Sequence, residues 1–477
     1  MNIARLVKRA TVCILFVGLG LGLWPAAVLH ADLPKHLEFP AIEFEVPAVD
    51  TLAFANGLHG YLIEDHSIPL VTVTVMYRIG FPPKDKVGLD EMAGWAVRNG
   101  GSANYPKDMI DDELEFVGAS IESNAGSQIG QIRANFLTKD TEEVLAIFAD
   151  LILNPAFDPE QIELRRRSSI EEIRRKADDP SALGSREFAK LVYGDHPLAW
   201  EPTVETMTNI TREDVVEFEG RYLRPDNSVI GISGDMTAED ALAIFSGLLA
   251  GWAPGGERPD FPEMEYRLAG SVNYIYKDVN QAYIWAGHMG MNSHNKDLPL
   301  AEIMNYILGG GSFTSWITQR VRADEGLAYS AGSRFGSSPF GYGLFYASCQ
   351  TRSDAALRAL GLMVEQVEKM KTTGPSQEEV DEAKEAMVNS QVFDYESNDR
   401  IIRRLVRYDI VGLPLDNLER EFRALTGATL DDVKRVGNEY LHPDEMVILI
   451  VGDEDQFDRP LSDLGEVNTI DVEKEVQ

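Results

Sequence analysis

Apolar positions along this chain fall into two rhythms. Residues 68–80 (IPLVTVTVMYRIG) alternate apolar and polar side chains, and so do residues 273–289, read as NYIYKD and then QAYIWAGHM. A period of two predicts strands with one buried face. Elsewhere the spacing is helical. Thr141 to Leu153 carries Val144, Leu145, Phe148, Leu151 and Ile152 one turn apart. Pro159 to Ala177 is helical and rich in arginine and glutamate, and Gln377 to Tyr408 reads as another long helical stretch.

The pattern also repeats itself. Residues 211–235 (TREDVVEFEGRYLRPDNSVIGISGD) align without a gap to residues 429–453 (TLDDVKRVGNEYLHPDEMVILIVGD). In each copy a threonine, Thr211 or Thr429, caps a short helix with acidic residues in its first turn. Tyr-Leu-x-Pro-Asp ends that helix, because proline cannot continue it. A β-branched run follows, Ser228 to Ser233 or Met446 to Val451, and Gly-Asp closes it in a turn. Asn99-Gly-Gly-Ser102 and Gly309-Gly-Gly-Ser312 echo each other in the same way. Strands and helices without regular βαβ alternation predict an α+β protein of two homologous halves, each a mainly antiparallel sheet with helices packed on one face. The boundary falls in the glycine- and proline-rich stretch Gly251 to Pro262. The expected organisation is a signal over 1–31, domains over 32–255 and 263–460, and an acidic tail over 461–477.

Composition narrows the function classes. The 477 residues are 44% hydrophobic and 25% charged, as in ordinary globular proteins, with a formal net charge of −33. That balance argues against nucleic acid as a partner, which needs a basic face. It fits either simple solubility or attraction of basic peptides. Arg5, Lys8 and Arg9, an apolar run from Ala10 to Leu29 and small residues up to Ala31 read as an export signal cleaved before Asp32. The expected destination is the periplasm. The same run is long enough to remain as a membrane anchor. Of the two cysteines, Cys13 lies in the signal, so Cys349 is alone in the mature chain and reads as a buried small hydrophobe.

Several motifs together carry a resemblance. They are Gly88-Leu89 opening a helix, Glu171-Glu172-Ile173-Arg174 with Asp178-Asp179-Pro180, Tyr193-Gly194-Asp195-His196-Pro197-Leu198, Leu308-Gly309-Gly310-Gly311-Ser312, and the run from Arg322 through Gly326-Leu327-Ala328-Tyr329-Ser330. In this set, and in its two repeated halves, the chain resembles the pitrilysin/insulinase zinc peptidases, the inverted zincins that include mitochondrial processing peptidase-like proteins. The resemblance implies their pitrilysin/LuxS-like metallohydrolase fold. Active members carry H-x-x-E-H on the helix after Gly-Leu. Its histidines hold zinc, its glutamate activates the metal-bound water, and a glutamate on a later helix completes the ligand set. Matched from Gly88-Leu89, the first histidine position is Glu91, the glutamate position is Gly94 and the second histidine position is Trp95; the distal glutamate matches Glu172. Two carboxylates and an indole make a poor zinc site, so no cofactor is expected on this chain. Glu172 reads as a helix glutamate paired with Arg175 or Lys176. His288 and His294 read as loop residues that do not rebuild the motif.

The resemblance also implies a role for what remains. Active members use an arginine and a tyrosine of the second half to contact the substrate backbone near the scissile bond, and Arg322 and Tyr329 match that pair. A guanidinium and a phenol can hold a peptide carbonyl and stabilise developing oxyanion charge. In the structural alternative, Arg322 caps a helix C-terminus and Tyr329 packs within a strand. Bacterial relatives work as pairs in which one subunit brings zinc and the other the Arg/Tyr pair. The expectation is therefore a non-catalytic, zinc-less subunit of a heterodimeric peptidase. It would position peptide substrates for a homologous partner bearing H-x-x-E-H and the zinc. The alternative is a structural or peptide-binding scaffold.

Overall fold

The computed structural model describes residues 47–126, 128–255, 258–394 and 397–472. The export signal read from the sequence lies outside the described residues. No helix among them is long and apolar enough to cross a membrane.

The first half runs β1 (Asp50–Ala53), β2 (His59–Glu64), β3 (Leu70–Arg78), α1 (Leu89–Asn99), α2 (Lys107–Val117), β4 (Ser120–Gly126), β5 (Ile129–Leu137), α3 (Thr141–Leu153), α4 (Pro159–Asp178), α5 (Pro180–Tyr193), α6 (Val204–Asn209), α7 (Arg212–Tyr222), β6 (Ser228–Gly234) and α8 (Ala238–Leu248). Its sheet has the order β1-β2-β6-β3-β5-β4, with only β2 and β6 parallel. The second half runs β7 (Ser271–Tyr276), β8 (Gln281–Met289), β9 (Met291–Asn292), α9 (Leu298–Asn305), β10 (Ala328–Phe335), β11 (Ser337–Ser338), β12 (Leu344–Arg352), α10 (Ala356–Thr372), α11 (Gln377–Asp394), α12 (Asn398–Val411), α13 (Asn417–Gly427), α14 (Leu430–Tyr440), β13 (Val447–Gly452) and β14 (Val467–Thr469). Its sheet has the order β10-β12-β8-β13-β7-β14.

The sequence repeat is thus a structural repeat. Strands β2-β6-β3-β5-β4 and β7-β13-β8-β12-β10 share one order and one pattern of parallel and antiparallel neighbours. The repeated segments supply α7 with β6 and α14 with β13. Thr211 and Thr429 each form a capping box, with Asp214 and Asp432 respectively. Each cap satisfies the free amide groups of its helix start and sets the angle at which the chain enters the helix.

The two halves interlock through an exchange of helices. Helix α12, from the second half, lies across β2, β3 and β6 of the first sheet. Helix α5, from the first half, lies across β8 and β13 of the second. Both crossings are made at glycines. A Cβ on Gly231 would stand 2.5 Å from Ile402 and 2.6 Å from Val406 on α12. A Cβ on Gly184 would stand 2.1 Å from the Trp285 ring. Polar contacts fasten α12: Asp409 accepts from Tyr61 at 2.7 Å and bonds His59 at 2.8 Å, and Arg133 donates to Asp399 at 3.0 Å. This exchange explains why β3 is buried on both faces, Thr72 and Thr74 included, although its alternation predicts one polar face.

Two boundaries differ from the sequence reading. The helix expected over 377–408 is two helices, because the Ser397 hydroxyl accepts from the Arg400 amide and starts α12 afresh. Within the acidic tail expected over 461–477, Val467–Thr469 forms β14 and pairs in parallel with β7. The linker is pinned at both ends. Trp252 is buried in the first core and donates to the Leu223 carbonyl, and Phe261 stacks on Phe340 at 4.1 Å. Cys349 sits buried on β12, and burial pushes its thiol up to about 12.

Gly184→Ala provides a test of the interlock. In an isolated helix that change is stabilising, by about 0.5–1 kcal/mol. Here the methyl meets the Trp285 ring, and overpacking of about 1–3 kcal/mol is expected to dominate. Urea unfolding is expected to show a lower midpoint; a midpoint at or above wild type would mean that Trp285 yields freely.

Candidate functional site

Gly88 positions the start of α1. Its φ of 99° lies in the left-handed region that glycine adopts without penalty, and it lets the chain turn directly into the helix. Leu89, Met92, Ala93, Ala96 and Val97 face the core, which leaves Glu91 exposed on the opposite face. Gly94 is buried where α1 crosses β4. Trp95 is half-buried, with the Arg165 guanidinium of α4 5.8 Å from its ring centroid.

Helix α4 is fixed by Asp158, whose carboxylate accepts from Glu160 and Gln161 ahead of Pro159. Two turns beyond Arg165 it presents Glu172, whose carboxylate receives Lys176 at 2.8 Å. That hydrogen bond and charge hold the Glu172 carboxyl below its ordinary range, and in turn raise the Lys176 ammonium. The structure therefore brings Glu91 and Glu172 into one pocket, together with Arg165, Lys176 and Glu201. Trp95 stands beside it under Arg165.

These residues do not fit a zinc ion. The indole of Trp95 has no lone pair to donate, Glu172 is engaged by an ammonium, and Gly94 offers no base. Among the described residues, no group of three or more His, Cys, Asp or Glu side chains is arranged to hold a metal. His288 is not in a loop, as read from the sequence, but buried on β8. Its Nδ1 donates to the Met289 carbonyl at 2.7 Å, and its Nε2 accepts from the His442 amide at 3.2 Å. With both nitrogens engaged and the ring desolvated, its pKa falls to about 4. His294 is exposed in the turn that follows.

A larger cavity of about 600 Å³ adjoins this pocket between the halves. Asp90, Glu91 and Glu201 enter it from the first half, and Arg334, Tyr346 and Arg407 from the second. Burial and the neighbouring Glu91 charge push Asp90 up to about 6. Glu201 opens to the cavity yet is closely surrounded by protein, and its carboxyl is likewise raised.

Arg322 and Tyr329 lie elsewhere. Arg322 belongs to a wide helical turn over Thr318–Asp324, of the kind found at functional sites. Its guanidinium lies 4.9 Å from the centroid of the Phe313 ring, which is itself 64% exposed. Tyr329 falls at a bulge in β10, where the register shifts between Ala328 and Ser330. It is 78% exposed, and β10 is an edge strand. Neither side chain has a hydrogen bond or ion pair among the described residues. This differs from the structural alternative: Arg322 caps no carbonyl with its side chain, and Tyr329 does not pack. Neither residue lines the cavity between the halves. Arg334, which does, lies about 16 Å farther along β10 at the usual rise of a strand. Sequence reasoning missed Phe313, Arg165 and Glu201. Only Phe313 carried a signal, as a large apolar residue directly after a glycine loop.

Comparison with known proteins now bears on this geometry. A model of the M16 peptidase inactive domain matches residues 209–387, and a model of the insulinase (M16) peptidase domain matches residues 98–199. Together they cover more than half of the chain. The chain belongs to the insulinase (M16) family. The second match begins just after Glu91, Gly94 and Trp95. Among related sequences, a non-peptidase homologue, YmxG, of Helicobacter pylori is 24% identical over 74% of this chain and 82% of its own length. An uncharacterised zinc protease of Rickettsia bellii is 26% identical over 60% and 68%. Among solved structures, an M16 inactive domain from Pseudomonas fluorescens superposes with a TM-score of 0.80 at 24% identity, over 87% of this chain and all of that one. The periplasmic protease PqqL of Escherichia coli gives 0.75 at 14%, over 94% of this chain but 49% of its own. A chain of complex III2 from Candida albicans gives 0.69 at 14%, over 85% and 96%. The fold is that of the M16 peptidases, and the model matched in the second half is that of the family's inactive domain.

The purified chain alone is therefore expected to hold no stoichiometric zinc and to cleave no peptide. Metal analysis combined with a fluorogenic peptide assay checks this. One tightly bound zinc per chain, with chelator-sensitive cleavage, would contradict it.

Proposed function

We propose that this M16 homologue is the zinc-less subunit of a heterodimeric peptidase. Its partner is a homologous subunit that carries H-x-x-E-H and the zinc, and its own contribution is Arg322 and Tyr329, acting in trans on the peptide carbonyl. The observation that carries this reading is their presentation. Tyr329 is exposed at a bulge of the edge strand β10, and Arg322 is exposed in the helical turn just before it, over the Phe313 ring. Neither has a hydrogen bond or ion pair among the described residues, and neither lines the cavity between the halves. Side chains kept ready for a ligand have this character, whereas structural ones are packed or bonded. The match to only half of PqqL also supports it, since that protease has length for a second such body. Export beyond the cytoplasmic membrane, with a mature start near Asp32, belongs to the same proposal and rests on the signal pattern alone.

A second reading is a scaffold without a role in hydrolysis. The likeness to a chain of complex III2 favours it, because that fold then serves inside a large assembly. Finding a neighbouring gene for an H-x-x-E-H homologue with a degenerate Arg/Tyr pair would favour the first reading, and its absence the second.

Reconstitution of the zinc-bearing partner with wild-type, Arg322→Ala or Tyr329→Phe chain separates the two. Loss of one oxyanion-type donor lowers turnover about 100- to 1,000-fold. Such a loss is expected with assembly intact, and Arg322→Lys is expected to be damaging too, since an ammonium lacks the planar fork. Equal rates in an intact heterodimer would leave both residues as structure only.

A further inference from the structure

The degenerate metal position has features that the missing histidines do not account for. The first is the spacing of α1 and β4. A Cβ on Gly94 would stand 2.4 Å from the Ala125 backbone nitrogen and Cβ, and 2.7 Å from the Asn124 carbonyl carbon. Strand backbone cannot swing aside as a side chain can. The position from which a catalytic glutamate would have to reach out is thus shut by helix–strand contact.

The second feature is charge. Glu172 and Glu91 face one pocket, and the cations in it belong to the protein. Lys176 reaches back one turn along α4 to Glu172, within the field of Glu91 and Glu201. Arg165 stands over Trp95 and acts on the same Glu172. Burial of part of a carboxylate cluster demands nearby positive charge, and here the Lys176 ammonium beside Glu172 and the Arg165 and Arg186 guanidinium groups provide it.

We infer that this position is a metal-free joint in its own right: α1 closes on β4 at Gly94, and Lys176 is the resident cation of the Glu91–Glu172 pocket. The inference stands whether or not the chain has a zinc-bearing partner. It implies that histidines alone do not convert the chain into an effective zinc site. An incoming metal must share Glu172 with the ammonium and work against its charge. Removing a unit charge at contact range in a partly solvated pocket changes affinity by about tenfold.

The test uses the whole chain and two independent readouts. Zinc affinity is measured by competition with a chromophoric chelator for Glu91→His/Trp95→His and for the same pair with Lys176→Met or Lys176→Arg. The expected result is tighter zinc binding by tenfold or more with Lys176→Met, and none of that gain with Lys176→Arg. Equal affinity with and without Lys176, or no zinc binding by any of these variants, would overturn its role as resident cation. Thermal unfolding of Gly94→Ala reads the helix–strand closure and needs none of the histidine variants to fold. A lowered transition is expected, although alanine ordinarily improves a helix. A transition at or above wild type would overturn the closure.

Discussion

The crossing of α5 and α12 between the halves is the constraint on which the rest of the structure depends. Each sheet has one face covered by its own helices and the central part of the other face covered by a helix borrowed from the other half. The crossings need bare backbone, at Gly231 beneath Ile402 and Val406 and at Gly184 beneath Trp285. Dispersion and desolvation at such contacts fall steeply with distance, so close approach at two glycines couples the halves tightly. The cavity with Asp90 and Arg334 on opposing elements exists only because the halves are locked in this way.

On that body, the two parts of an M16 active site have separate fates. The part that would hold zinc is closed and internally neutralised: Gly94 against β4, Glu172 under Lys176, Trp95 under Arg165. The part proposed to meet a peptide is open. Tyr329 stands at a bulge on an edge strand, and Arg322 lies over an exposed phenylalanine without a counter-ion among the described residues. Leaving a guanidinium and a phenol unpartnered at the surface brings little stability, whereas filling the metal position brings packing and charge balance. That asymmetry is physically consistent with a chain that does not hydrolyse but keeps a contact surface.

Much of this was legible in the sequence, and the rest was hidden for identifiable reasons. The repeat was legible because capping threonines and helix-ending prolines act locally; α7 with β6 and α14 with β13 stand where it puts them. The three-residue departure from H-x-x-E-H was legible because a motif's chemistry needs specific donors at fixed spacing. The break before α12 was hidden because Ser397 resembles any surface serine until its hydroxyl caps a helix. The burial of Thr72 and Thr74 was hidden because it comes from α12, over 300 residues away along the chain. The closure at Gly94 was hidden because a lone glycine in a helix shows nothing of the strand it touches.

The central claim, that this chain completes another rather than acting alone, is tested most directly by isolating it in its native state. The tagged chain, expressed at its native level in its own host, is purified under mild conditions, its complex sized, and every partner identified by mass. The account predicts a one-to-one complex with a homologue of similar length that carries H-x-x-E-H and one zinc. A chain that purifies alone, or as part of an assembly without any H-x-x-E-H homologue, would contradict it.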